Sequence, residues 1–242
     1  MARAETVLTD QLALEIARLG VVGESSDIGT LHRVAELATR AVPGCAGATS
    51  VRWAVEVTQG ETPEPLASAA SHPDLADAVD LQLARRAGPL FDVVGSRRAV
   101  GSDDVLAETR WPDATRDLLR RGVRCFVTIP YLNEPVLVTL TLYGIAPGSL
   151  APAQNGLAAL LLAQGSAAVS NNLQYDNVHR TAVQLQEAVE SRAVVDQAKG
   201  ILMHALGCDA DEAFAELRRI SQTRHVKLTA LAQRIVGDQG LS

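Results

Sequence analysis

Residues 192–236 read RAVVDQAKGILMHALGCDADEAFAELRRISQTRHVKLTALAQRIV, and this stretch decides the C-terminal fold. Three helical periods follow one another in it, each with apolar residues three and four positions apart. Gly207 lies where the first helix should end, and Asp209 with Glu212 has the spacing of a capping box at the start of the second helix. Gly237 lies just past the predicted third helix. Helices this short stabilise one another, so the stretch predicts a three-helix bundle.

The same stretch is the basic part of an acidic chain. Residues 192–236 contain 7 Lys+Arg against 5 Asp+Glu, a formal charge of +2, whereas the whole chain has a net charge of −6. Both lysines of the chain, Lys199 and Lys227, lie here. A charge of +2 is small for a nucleic-acid footprint, so on charge alone a solvated helix face is the simpler interpretation.

The sequence of this stretch resembles the ANTAR domain, the three-helix RNA-binding output module of bacterial transcription antitermination regulators. The Ala-Lys-Gly motif of that family stands here at residues 198–200. Its second motif, Glu-Ala-Phe followed by Leu-Arg, stands at 212–214 and 217–218. The resemblance implies that the module binds paired stem-loops in leader messenger RNA, so that a terminator does not form. The residues assigned to RNA on this basis are Arg192, Lys199, Gly200, Arg218, Arg224 and Lys227.

The chemistry of these side chains indicates how RNA would be bound. Lys199 and Arg192 would neutralise phosphates, and Arg218 would contact a phosphate or a base edge. Gly200 would let a neighbour approach the backbone, whether RNA or another helix. Phe214 is the only aromatic residue in the module, and its spacing predicts a core side chain. Base stacking on an aromatic ring is therefore not expected to be the main readout.

Two other functions compete with RNA binding. Residues 228–236 could pass for the first helix of a helix-turn-helix, which would make the chain a DNA-binding transcription regulator. Only residues 237–242 follow, too few for a recognition helix, and this disfavours the DNA hypothesis. A ligand-binding or dimerisation protein whose ANTAR module contacts a protein partner stays open.

The front of the chain, residues 9–170, mixes helical and strand periods. In the strand predicted at 48–57, large apolar residues recur at every second position, so one face should be buried and the other exposed. The pattern indicates an α+β fold, with an antiparallel sheet flanked by helices. Its order resembles a GAF domain, the small-molecule sensor fold, and residues 100–132 are similar to the corresponding segment of GAF-ANTAR proteins. The predicted helices span 9–20, 27–42, 73–87 and 111–121, and the strands 48–57, 66–70, 99–101, 123–132 and 135–143.

A sensor fold implies a ligand pocket, but the residues do not identify a ligand. The aromatic side chains that could line a pocket are equally expected as ordinary core, and a domain that only dimerises stays open. No catalytic motif is present: Asp103-Asp104 lacks the nearby lysine of a receiver site and is expected in a turn. No cofactor and no metal site are predicted. The candidate wall residues are Trp53, Phe91, Trp111, Phe126 and Tyr131.

Residues 171–191 connect the sensor to the ANTAR domain, which spans 192–238. Val178, Ala182, Leu185 and Val189 are spaced 4, 3 and 4 apart, which suits a coiled-coil seam. The sequence therefore predicts a long connecting helix and a homodimer. Neither a signal peptide nor an apolar run of membrane-spanning length is recognisable, so a cytoplasmic, signal-responsive RNA-binding regulator without membrane contact is expected.

Overall fold

The computed structural model describes residues 10–19, 26–55, 63–150 and 155–239. They fall into two compact units, divided between Tyr175 and Asp176. Within these residues the helices are α1 (Asp10–Arg18), α2 (Asp27–Ala41), α3 (Pro73–Arg85), α4 (Pro89–Ser96), α5 (Pro112–Arg120), α6 (Asn155–Leu206), α7 (Ala210–Arg224) and α8 (Leu228–Gln239). The strands are β1 (Gly47–Trp53), β2 (Pro65–Ala70), β3 (Val100–Ser102), β4 (Cys125–Asn133) and β5 (Val136–Gly144).

The first unit is built on an antiparallel sheet in the order β2-β1-β5-β4-β3. Side chains of α1, α2 and the first part of α6 pack on one face, and those of α3, α4 and α5 on the other. β1 was predicted to be half-buried, and this is wrong: every residue of β1 except Arg52 is buried. The strand lies inside the sheet with helices over both faces, so Arg52 is its one residue with partial exposure to solvent.

Helix α4 was not predicted from the sequence. Its apolar residues occupy only eight positions directly after α3, too short a run for a helical period to stand out. Gly88 precedes it with a φ of 122°, and a Cβ at this position would lie 2.7 Å from Oε1 of Gln82. Only glycine fits such a backbone at that distance, so Gly88 allows the sharp change of direction from α3 into α4.

The second unit is a small helical bundle. The end of α6 packs with α7 and α8 around Ala198, Leu217, Leu231 and Ala232. The capping box of α7 is confirmed in both directions, with Asp209 accepting from backbone amides and Glu212 accepting from the amide of Asp209. Gly207 ends α6 with a φ of 65°, as predicted.

The long helix predicted between the sheet and the bundle is also confirmed, since α6 runs without interruption over 52 residues. The expectation that Gly237 follows the last helix is wrong, because α8 continues through it to Gln239. No helix among the described residues is both long and apolar enough to cross a membrane.

Candidate nucleic-acid interface

The exposed side of α6 carries two cations with one carboxylate between them. Oδ1 of Asp196 lies 3.2 Å from Nζ of Lys199, and Oδ2 lies 3.9 Å from Nε of Arg192. The side chain of Arg192 is 88% exposed, whereas that of Lys199 is 29% exposed and lies along the helix surface. Asp196 therefore offsets part of the positive charge at Lys199, and Arg192 is the more accessible cation.

Helix α7 has two flanks of different charge. On one flank Arg219 donates two hydrogen bonds to Glu216, of 2.6 and 2.8 Å, and these bonds hold the pKa of the Glu216 carboxyl below its usual value. Arg218, on the other flank, is exposed and makes no ion pair with any described residue. Two neighbouring arginines of one helix thus differ: the charge of Arg219 is neutralised, and the charge of Arg218 is available.

The end of α7 and the turn after it add two more cations of this kind. Arg224 and Lys227 are exposed, and within the described ranges neither has an acidic partner. His225 between them takes the left-handed conformation, with a φ of 51°, and its amide bonds to the carbonyl of Gln222 at 3.3 Å. The backbone of the turn is thus hydrogen-bonded within itself. The side chains of Arg224 and Lys227 are exposed to solvent.

Gly200 is exposed in the middle of a helical segment. A Cβ built at this position would meet no heavy atom of the described chain within 4 Å. The sequence offered two reasons for this glycine, close approach by RNA and close approach by another helix. The structure shows no close approach by another helix of the described chain. Glycine inside a helix destabilises it relative to alanine, so packing within the bundle does not account for the residue.

Gly200→Ala should change the stability of the bundle and its affinity for RNA in opposite directions. The added methyl group enters open space and lowers the entropy of the unfolded chain, so we expect the free energy of unfolding of the bundle to rise by about 0.5–1 kcal/mol. RNA affinity should fall, because the methyl group occupies the backbone surface offered to a ligand. Denaturant unfolding and RNA titration of the same samples test this, and a variant with higher stability and unchanged RNA affinity would remove Gly200 from the interface.

Phe214 was predicted to be a core residue, and this is wrong. The side chain is 41% exposed, while Ala213 and Leu217 beside it are fully buried. Phe214 follows Ala213 by about 100° around the axis of α7, and the neighbouring helices do not cover that side completely. The only aromatic ring of the bundle is therefore accessible from solvent.

The five aromatic candidates for a sensor pocket lie in separate places. Trp53 and Phe91 pack edge to face with their ring centroids 5.4 Å apart, and Trp111 and Phe126 form a second pair at 5.9 Å. Tyr131 packs against the cluster on the opposite face of the sheet. The structure thus places these side chains in three clusters and does not bring them around one cavity.

On the sheet face beneath α3, α4 and α5, buried polar side chains form hydrogen bonds with one another. Nε1 of Trp53 donates to Oγ1 of Thr139 at 2.9 Å, and the hydroxyl groups of Thr49 and Tyr143 are 3.1 Å apart. Burial raises the pKa of Tyr143 to about 12, so its hydroxyl stays protonated. These groups satisfy one another and present no free donor to a ligand on this face.

A cavity of about 340 Å³ lies elsewhere in the first unit, between α3 and the start of α5. Trp111 is the one residue of the aromatic set that lines it. Arg110 lies over the Trp111 ring at 4.1 Å and donates to both carboxylate oxygens of Glu108, which lowers the pKa of Glu108 to about 2. The polar lining of this cavity was not predicted from the sequence, and consecutive residues 110–112, Arg-Trp-Pro, supply part of it.

The seam predicted in the second unit is exposed in the single chain. Val178, Leu185 and Val189 are 68%, 62% and 69% exposed, and Ala182 between them is exposed as well. Large aliphatic side chains at this spacing form a continuous apolar stripe along one side of α6. We call these four residues the α6 stripe.

Comparison with family models matches residues 183–236 to the ANTAR domain. The matched range contains every cation described on α6, on α7 and in the turn after α7, together with the whole core of the bundle. The second unit carries an ANTAR domain. ANTAR domains are RNA-binding antitermination modules, so the match supports a regulatory protein in general terms.

Solved structures resemble the first unit in fold at low sequence identity. The N-acylhomoserine lactone dependent LuxR family transcription factor CepR2 from Burkholderia cenocepacia has a TM-score of 0.51 at 14% identity, covering 67% of this chain and 95% of that one. The GAF domain of an Acinetobacter phosphoenolpyruvate-protein phosphotransferase scores 0.45 at 14% identity, covering 69% and 96%. Free methionine-R-sulfoxide reductase from Neisseria meningitidis scores 0.45 at 11% identity, covering 68% and 89%.

The predicted GAF-like fold of the first unit is confirmed by its five-stranded antiparallel sheet with flanking helices. Comparison with curated protein sequences finds no match to this chain. The first unit is therefore characterised by its fold, and the second by its match to the ANTAR domain.

Proposed function

We propose that this protein is a GAF-ANTAR regulator, which binds stem-loops in leader RNA in response to a signal and antiterminates transcription. The observation that carries the proposal is the set of exposed cations in the ANTAR domain that have no acidic partner among the described residues, which comprises Arg218, Arg224, Lys227 and Arg234. Phosphate groups are the ligands that such cations bind most strongly from solvent. Arg192 and Lys199 on α6 add two more, with Asp196 moderating their charge.

The α6 stripe supports a dimer formed with a second copy of the chain. In the heptad that places Tyr175, Ala182 and Val189 at position a, the residues flanking the seam at e and g are His179, Thr181, Gln186 and Ala188. None of these is acidic or strongly basic, so two identical helices meet without like-charge repulsion. The acidic and basic residues of this segment occupy the outer positions b and f: Asp176, Arg180, Glu187 and Glu190.

A dimer would carry two ANTAR domains and so suits a target with two adjacent stem-loops. Linked binding of two sites raises affinity without any new contact, which compensates for the modest charge of each domain. The first unit is proposed to receive the signal, and its 340 Å³ cavity is the candidate place for a small molecule. ANTAR and GAF domains are regulatory, so the proposed role is binding and not catalysis.

Arg218→Ala and Arg219→Ala form a matched pair for testing RNA binding. Both remove an exposed arginine from neighbouring positions of α7, but only Arg219 is neutralised by Glu216. We expect Arg218→Ala to weaken binding of structured RNA and to lower the slope of log affinity against log salt by about 1. Arg219→Ala should change the affinity much less. Binding to a library of structured RNAs at several salt concentrations measures both.

One outcome would contradict the RNA proposal, and another would contradict the role given to Arg218. Wild-type protein that enriches no structured RNA at low salt would favour an ANTAR domain that contacts a protein partner. Equal losses in both arginine variants would mean that the available charge of Arg218 has no special role. Lys199→Ala provides an independent comparison on α6. It removes a cation whose Nζ donates to Asp196 and whose charge is therefore partly offset.

A further inference from the structure

The exposed ring of Phe214 needs an explanation that the bundle does not supply. Phe214 is the only aromatic residue after Tyr175, and 41% of its surface is open to solvent. Within the described residues it forms neither an aromatic pair nor a cation-π contact; the rings that do are in the first unit. The open part of this ring is available for contact with a bound partner.

Arg218 lies one helical turn after Phe214, on the same flank of α7. Residues four apart on a helix are neighbours on its surface, so the side chains of Phe214 and Arg218 leave α7 from neighbouring positions. Glu216 and its partner Arg219 lie on the other flank, and Glu216 is about 160° around the axis from Phe214. The flank with Phe214 therefore combines an open aromatic face and a cation without an acidic partner, and the neutralised pair is kept away from it.

We propose that Phe214 and Arg218 form a stacking platform for an unpaired base in the loop of the bound RNA. Unpaired loop bases expose a flat face, and proteins hold them on aromatic rings and on guanidinium planes. A base in a continuous duplex is stacked on its neighbours and offers no such face. The platform thus reads the unpaired loop, while the other cations bind the phosphates of the stem. This inference rests on the proposed RNA-binding function.

The test uses full-length protein with Phe214→Leu and Phe214→Tyr. Leucine retains apolar bulk at the position but has no aromatic face, whereas tyrosine retains the ring. The probes are hairpins recovered from a randomised-loop library and a continuous duplex with the same stem. We expect Phe214→Leu to weaken hairpin binding by roughly 5- to 150-fold, the range for loss of one base-aromatic stack, and Phe214→Tyr to bind like wild type. Duplex binding should be the same for all three proteins.

A second measurement reports stacking directly. A hairpin with one loop adenine replaced by 2-aminopurine should lose fluorescence when wild-type protein stacks on that base, and Phe214→Leu should not produce the quenching. Normal hairpin affinity of Phe214→Leu, with Arg218→Ala still impaired, would overturn the platform and leave the RNA-binding proposal in place. Absence of any RNA binding by the wild type would overturn both proposals.

Discussion

Leu217→Ala is expected to unfold the C-terminal bundle and abolish RNA binding. Leu217 is fully buried, and the other buried members of that core are Ala198, Leu231 and Ala232, so it supplies much of the aliphatic volume at the centre. Truncating a buried leucine to alanine lowers the free energy of unfolding by about 2–5 kcal/mol. A bundle of short helices has little stability beyond that. The candidate RNA-binding cations lie on separate segments held together by this core, so they would no longer act on one ligand.

Hydrogen exchange of the full chain measures this effect, with peptides from the sheet of the first unit as an internal reference. Exchange in α7 and α8 should accelerate strongly in Leu217→Ala. Leu206→Ala is the matched control, because it is the same substitution at a leucine that is 58% exposed; its effect should stay within about 0.5 kcal/mol. Protection of α7 that survives in Leu217→Ala would mean that the bundle is stabilised elsewhere.

Leu185→Lys is expected to convert a dimer into a monomer and to weaken binding of RNA with two adjacent stem-loops. Leu185 lies at the centre of the α6 stripe, where a dimer would place an unpaired ammonium against an apolar seam. Without the dimer the second ANTAR domain is no longer linked to the first. The loss of affinity for the paired target should be on the order of 10²- to 10⁴-fold, with little change for a single hairpin.

Sedimentation and RNA titration of Leu185→Lys should be compared with Gln184→Lys. The control adds the same charge at the neighbouring exposed position, outside the seam. A monomeric Gln184→Lys would show that added charge alone causes dissociation. If Leu185→Lys lost affinity equally for one and for two stem-loops, the linked-domain explanation would be wrong.

The local features of the fold were predictable because they depend on neighbouring residues. The capping box at Asp209 and Glu212 and the end of α6 at Gly207 follow from local hydrogen bonding and backbone freedom. Gly237 misled the prediction because a glycine can also be accommodated inside a helix. α4 was missed since eight residues give too little periodicity to identify a helix.

Features that depend on tertiary packing were not predictable. The exposure of Phe214 depends on where the neighbouring helices stop covering α7, and spacing along one helix does not give that limit. The burial of both sides of β1 follows from its place inside the sheet. Likewise, the sequence offered five aromatic residues as candidates for one pocket wall or for ordinary core, and the structure places them in separate clusters on the two faces of the sheet.

The capping box of α7 also has an electrostatic consequence. The start of a helix attracts anions, but the carboxylate of Asp209 already accepts from the amides of Asp211 and Glu212 there. Phosphates are therefore repelled from the beginning of α7 and attracted toward its end, where Arg224 and Lys227 lie. One helix thus presents a negative end and a positive end, and under the proposed function this polarity would favour one orientation of an RNA strand before any base is read.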